Sequence, residues 1–184
     1  METQLRILDE KNLERLLFNR SIYRKKAQKI EPSFEDFLVN ITKWIISIIE
    51  CTGVYFFMDD PLNKRLKLSK NRLILVSQFS KEDSLVGMNT SANSNNCVAK
   101  AYREKEIINH PSETYPPAQF DQKFNSKSYV AVPIQIQGSP IGVLVLTKNV
   151  TTFFSERKYG LLNIIAEFIG TTIANFLDNN RCRF

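Results

Sequence analysis

The stretch from Ser128 to Leu146 constrains this chain more than any other. Tyr129-Val130-Ala131-Val132-Pro133-Ile134-Gln135-Ile136 and Ile141-Gly142-Val143-Leu144-Val145-Leu146 are two runs of strand formers separated by Gln137-Gly138-Ser139-Pro140. Two such runs around a short Gly/Pro turn form a β-hairpin, and their apolar character puts that hairpin at the centre of a sheet. The fold must therefore be organised around β-structure, although much of the remaining sequence is helical in pattern.

At 184 residues the chain has room for one ordinary domain of roughly 150 residues plus a helical extension. Thirteen Phe and six Tyr bury more apolar area than a disordered chain carries. No apolar run reaches the roughly 18 residues that span a bilayer, and Met1-Glu2-Thr3-Gln4 lacks the basic-then-apolar pattern of a signal peptide, so a cytoplasmic setting without membrane is expected. Cys51, Cys97 and Cys182 are far apart and the chain has a single histidine, His110, so no zinc site and no disulfide framework are expected. The net charge of +6 is concentrated in two clusters, Arg20 to Lys29 and Lys64 to Arg72. Neither has the interleaved aromatics and glycines of an RNA-binding sheet, and they read as solvated surface or docking charge, not as a nucleic-acid site.

From Glu2 to Ile30 there is no Gly or Pro, and Leu5, Leu8, Leu13, Leu16, Leu17, Tyr23, Ala27 and Ile30 recur at mostly helical spacings. This predicts an amphipathic helix over residues 1–32, ahead of a domain over 33–180 and a tail over 181–184. A second helix, capped near Ser33, carries Phe37, Leu38, Ile41, Trp44, Ile45, Ile48 and Ile49 and stops at Gly53. Val54 to Met58 and Arg72 to Phe79 read as strands. The polar run Gly87 to Asn96 reads as a loop that delivers a cap to a short helix over Cys97 to Glu104. Glu106 to Asn109 forms a small strand, the Pro-rich stretch 110–124 is irregular, and a last helix begins at Ser155 with a wide apolar arc from Leu161 to Leu177. The sum is an α+β domain: a largely antiparallel sheet, N- and C-terminal helices on one face, and residues 86–128 roofing the other. A ligand cavity under that roof would follow from the architecture.

The order of elements and the local motifs resemble the GAF domain family over Ser33 to Leu177. Ser128 to Leu146 is similar to the family's S-x-x-x-V-P…G-x-x-I-G-V-L hairpin, Asp121-Gln122-Lys123-Phe124 to its D-P-R-F, Lys127-Ser128 to its R-S, and Phe154-Ser155-Glu156 with Leu161-Leu162 to the start of its last helix. The family includes cyclic-nucleotide binders, bilin carriers, haem sensors and free-methionine-sulfoxide reductases. The cyclic-nucleotide signature is broken here, because Lys148-Asn149 reverses its first pair and Lys158-Tyr159 replaces its acidic one. A bilin would need a Cys beside a His, yet His110 is followed by Pro111 and no cysteine lies between it and Ser128. A haem would need His110 as axial ligand. In the reductase reading Cys97 matches one family cysteine, but the attacking thiolate's position is held by Gln122 or its neighbours Asp121 and Lys123.

The resemblance therefore implies a non-enzymatic, small-ligand-sensing or regulatory module without metal or cofactor. Its implied ligand-binding residues are Asn96, Ile108, Asp121, Phe124, Ser128, Tyr129, Ala131 and Thr147. Asp121 and Ser128 would supply hydrogen bonds, and Phe124 and Tyr129 stacking. A second copy or another protein is the expected partner, through apolar surface on helices 2–30 and 155–180. The alternative is a ligand-free structural subunit of a larger assembly, for which a composition rich in Asn, Ile and Lys admits a cytoskeletal or ciliary setting.

Overall fold

The computed structural model describes residues 4–7, 34–59, 72–80, 85–111, 120–151 and 153–181. Among the described residues seven strands form one antiparallel sheet: β1 (Gln4–Ile7), β2 (Gly53–Asp59), β3 (Arg72–Ser80), β4 (Asn89–Ser91), β5 (Ile108–Pro111), β6 (Ser128–Ile136) and β7 (Ser139–Lys148). Their order is β1-β3-β2-β7-β6-β5, with β4 also pairing β3. The helices are α1 (Phe34–Ile49), α2 (Cys97–Glu104) and α3 (Tyr159–Arg181), with short 3-10 turns at Asp121–Phe124 and Glu156–Lys158. Among the described residues no helix is long and apolar enough to cross a membrane.

Alternation along the central strands separates two cores. Val54, Phe56 and Met58 of β2, Val130, Val132 and Ile134 of β6, and Leu144 and Leu146 of β7 point to the face covered by α1 and α3. Tyr55, Phe57, Tyr129, Ala131, Val143 and Val145 point to the opposite face, covered by α2 and the 3-10 turn at Asp121–Phe124. The expected α+β layering holds, with the hairpin running from Ile136 to Ser139 through Gln137 and Gly138. Both turn residues have positive φ, 50° and 74°, the twist that suits a two-residue hairpin loop.

Local outcomes differ from the sequence expectation at four places. The start of the expected helix over residues 2–30 is strand β1, because Gln4-Leu5-Arg6-Ile7 alternates polar and apolar and finds the outer edge of β3 at Ser77–Ser80. The remainder of that helix, and both basic clusters apart from Arg72, lie outside the described residues. The polar run at 86–96 is not all loop, since Asn89–Ser91 zips onto the other end of the same β3 edge at Arg72–Ile74. Helix α1 ends at Ile49, and Glu50 follows with φ 55° and its N–H on the Ile46 carbonyl at 3.0 Å, ahead of the anticipated stop. Gly53 instead opens β2, where a Cβ would collide with the Thr147 hydroxyl and the Tyr55 ring. The small strand runs over Ile108–Pro111, two residues later than its pattern suggested.

Helix α3 lies across β6. At Gly170 a Cβ would run into the Gln135 carbonyl oxygen, whereas at Gly160 it would meet nothing within 4 Å. The same substitution should therefore have opposite signs in one helix. Gly160→Ala is expected to raise stability by about 0.5–1 kcal/mol through helix propensity, and Gly170→Ala to lower it by about 1–3 kcal/mol through overpacking, both read by denaturant unfolding.

Candidate functional site

The side of the sheet beneath α2 holds most of the residues implicated by sequence. Helix α2 begins at Cys97 because Asn96 caps it: the Asn96 side-chain oxygen accepts from the Ala99 N–H at 2.9 Å, and its amide nitrogen donates to the Thr90 hydroxyl at 2.7 Å. Cys97, Val98, Ala101 and Tyr102 then face the sheet. At the other end Tyr102 donates its hydroxyl to Asp59 at the end of β2 (2.7 Å), and Lys105 donates to the Gly138 carbonyl in the hairpin turn (2.9 Å).

Asp121 sits at the N-terminus of α2. Both carboxylate oxygens accept from the Cys97 backbone N–H at 3.2 Å, which supplies an anion where a helix presents unpaired N–H groups. Phe124, one 3-10 turn later, is 1% exposed and central to a ring cluster: its centroid lies 5.0 Å from Tyr55, 5.9 Å from Tyr129, 6.3 Å from Phe57 and 6.1 Å from Phe120. Ala131 is fully buried in the same cluster, and Ile108, its register partner on β5, packs against it. Thr147 is the register partner of Tyr129 and, by strand alternation, shares the face of Val143 and Val145. Ser128 stands apart. Its hydroxyl donates to the Val150 carbonyl at 2.8 Å and pins the loop after β7. The backbone of His110 lies in β5.

Sequence reasoning thus named the neighbourhood but not what occupies it. Among the described residues, the rings of Tyr55, Phe57, Phe120, Phe124 and Tyr129 cluster on this face of the sheet. The Asp59–Tyr102 bond was also missed, although Asp59 is the one acidic residue of the otherwise apolar β2. On the opposite face, Phe153 receives two lysines, with Lys148 Nζ 4.9 Å and Lys158 Nζ 3.2 Å from its centroid. Burial, and then repulsion from Lys148, lower the Lys158 pKa against the pull of Glu50.

A GAF domain model matches residues 33–173. The chain belongs to the GAF domain family. Among solved structures it is similar to the GAF domain of an Acinetobacter phosphoenolpyruvate-protein phosphotransferase, at 17% identity over 95% of this chain and 99% of that one, with a TM-score of 0.65. The GAF domain of a Bacillus halodurans two-component sensor histidine kinase aligns at 14% identity over 79% and 97%, TM-score 0.62. A type II free methionine-R-sulfoxide reductase from Thermoplasma acidophilum aligns at 18% identity over 77% and 92%, TM-score 0.57. Identities this low speak to the fold alone. No curated protein matches the chain.

Within this GAF fold Cys51 and Cys97 are buried free thiols. Cys97 is 3% exposed, and burial first, then the charge and hydrogen bond of Asp121, push its pKa up, opposite to what a nucleophile needs. Gln122, at the position implied for attack in the reductase reading, is exposed and carries no thiol. Burial likewise raises the Tyr129 hydroxyl, helped by the neighbouring Cys97 and Asp121, and the Tyr102 hydroxyl, helped by Asp59. Among the described residues no group of three His, Cys, Asp or Glu side chains is arranged to hold a metal ion.

Two measurements check this picture. Asn96→Ala removes both the cap of α2 and the tie to Thr90 and should cost about 1–2 kcal/mol in denaturant unfolding. Burial pushes the Cys51 thiol from 9.0 up to about 11. A raised folded-state pKa leaves its contribution intact below the unfolded value and removes it as pH climbs through the folded one. Stability should therefore fall by about 2–3 kcal/mol between pH 9 and 11 on account of this group, and Cys51→Ala should flatten that part of the pH profile.

Proposed function

We propose that this GAF domain is a non-enzymatic regulatory module that acts through association of α1 and α3 with a second copy of the chain. One observation carries the reading. Trp44 and Ile48 on α1 and Leu161, Ile164 and Phe168 on α3 are 39–63% exposed, and the rings of Trp44 and Phe168 meet at 5.5 Å, so the two helices share one apolar ridge. Large hydrophobic residues grouped in this way mark interaction sites. The spacing of Leu161, Ile164 and Phe168 at three and four makes a stripe suited to helix–helix packing, and two copies related by a two-fold axis would bury it in a four-helix arrangement. Regulation is consistent with the company the fold keeps, which includes domains of a sensor histidine kinase and of a chemotaxis protein. The reduced, buried state of Cys51 and Cys97 fits a cytoplasmic setting.

A second reading, a ligand-free structural subunit, is favoured by the ring packing beneath α2, where Phe124 stands in the space a sensed molecule would use. The two readings share the α1/α3 surface and differ on the lid side. Sedimentation velocity addresses the first: a concentration-dependent dimer is expected, and Ile164→Glu, at the most exposed position of the ridge, should convert it to monomer while lowering the stability of the monomer by no more than about 0.5 kcal/mol. A wild-type chain that stays monomeric at hundreds of micromolar removes the proposal. Thermal-shift screening with nucleotides and metabolites addresses the second, since a bound compound at 100 times its Kd adds about 2.7 kcal/mol to stability, whereas a structural subunit shows no shift.

A further inference from the structure

Where the chain passes from β7 to α3, two cationic side chains converge on one ring. Lys148 ends β7, and Lys158 closes the 3-10 turn that leads into α3. Their ammonium nitrogens lie 4.9 Å and 3.2 Å from the centroid of Phe153, and so within about 8 Å of each other. The ring is a fixed platform. It is half-buried and meets Phe154 edge-on at 5.0 Å, and Phe154 is 1% exposed in the core that seats α3. Lys158 is also the residue that replaces an acid of the cyclic-nucleotide signature, so the change of sign falls where the fold brings it against a second cation.

The rest of the described chain does little to offset the two charges. Lys148 gives one N–H to the Glu50 carbonyl at the end of α1, and among the described residues Lys158 makes no hydrogen bond. Among the same residues neither ammonium has a carboxylate within 4.0 Å. Glu50 acts on Lys158 from farther off, and burial followed by repulsion from Lys148 outweighs it, so the Lys158 pKa stays below its ordinary value. An ammonium has three N–H donors, which leaves two on Lys148 and three on Lys158 for an acceptor from solution. Like charges held this close favour an occupant that carries more than one negative charge and accepts from both at once.

We propose that Lys148 and Lys158, gathered on the Phe153 ring, form a binding site for a phosphate group. A phosphate carries about 1.5 to 2 negative charges at neutral pH. Accepting one charge-assisted bond of about 2.8 Å from each ammonium, it spans a gap of up to about 8 Å. Bound there, it ties the end of β7 to the entry of α3 and, through Lys148, to the carbonyl that follows α1. The site lies apart from the rings beneath α2, and its occupation is measured without reference to association through α1 and α3.

Inorganic phosphate is titrated into the full chain at neutral pH and constant ionic strength while the NMR signals of the lysine Cε–Hε groups are followed. Those of Lys148 and Lys158 are identified by their loss in Lys148→Arg and Lys158→Arg. In the wild-type chain both are expected to move along one saturable curve with half-saturation in the millimolar range, about that of a weak small-ligand complex, while exposed Lys43 and Lys123 do not follow it. Lys148→Gln should weaken the response at Lys158 by about tenfold, as for loss of a hydrogen bond between charged groups. Acetate, with a single charge, should need about tenfold more than phosphate. Glycerol 3-phosphate tells two sources apart, and the assignment stands either way: half-saturation near that of inorganic phosphate means that the site takes the phosphoryl end of a larger molecule, whereas a much weaker response confines it to the free ion. Lys148 and Lys158 signals that move no more than those of Lys43 and Lys123 overturn the proposal, as does an equal response to acetate or a Lys158 response unchanged in Lys148→Gln.

Discussion

Burial of β2 on both faces is the constraint from which the remaining architecture follows. All of its residues from Gly53 to Asp59 are buried. A strand in that position cannot exchange its polar backbone groups with water, so it must be paired on both sides, as it is by β3 and β7. Its side chains require an apolar layer above and below. One layer cannot serve both, which is why α1 and α3 are segregated to one face and α2 with the 3-10 turn at Asp121–Phe124 to the other. The close approach at Gly142, where a Cβ would strike the Phe57 carbonyl, shows how tightly β7 is drawn against β2.

The two layers are finished to different degrees. Beneath α2, rings interlock, Asn96 and Asp121 satisfy the helix N-terminus, and Tyr102 closes the far end on Asp59. On the opposite face the inner sides of α1 and α3 complete a core around Leu38, Ile45, Leu162, Ile165 and Ile169, yet their outer sides carry Trp44, Ile164 and Phe168 into solvent. Exposing these costs solvation free energy that a second layer of helices would recover. The unfinished surface, not the finished interior, is therefore the argument for association.

How much of this was legible follows from the range of the interactions. Strands β2, β3, β6 and β7 could be read because their apolar runs are bounded by turn chemistry within a few residues. The cap on α2 could be read because Asn96 and Ala99 are three apart. Strands β1 and β4 could not, since Gln4–Ile7 and Asn89–Ser91 carry weak local signals and become strands only because β3 offers an unpaired edge. The site divides the same way. Asp121, Phe124 and Tyr129 could be placed near one another through the family pattern, but that Phe124 would stand among Tyr55, Phe57 and Tyr129 is a matter of packing, which no spacing records. The apolar surface expected on residues 2–30 falls outside the described residues beyond β1, whereas Trp44 and Ile48 of α1 join Phe168 in exposure, which amphipathic periodicity alone does not indicate.

Any influence of the lid side on the helix side has to pass through or around this sheet. Passage through it is short, because consecutive residues of β6 belong to opposite cores: Tyr129 contacts Phe124, and Val130 lies in the cluster with Leu162 and Ile165. Passage around it exists as well. The Asn109 amide on edge strand β5 donates to the Phe154 carbonyl at 2.5 Å, and Ser128 holds the Val150 carbonyl, so the loop that leads into α3 is tied to the strands bordering the roof. Phe154 is itself buried among the residues that seat α3. A displacement at Tyr129 thus has two mechanical routes to the start of α3, one by packing and one by hydrogen bond. The first is shared with the whole core and cannot be altered without loss of stability, whereas the second rests on two side chains, the Ser128 hydroxyl and the Asn109 amide, of which Asn109 alone reaches Phe154. If this GAF domain couples its two faces, Asn109 is the position at which that coupling can be separated from folding.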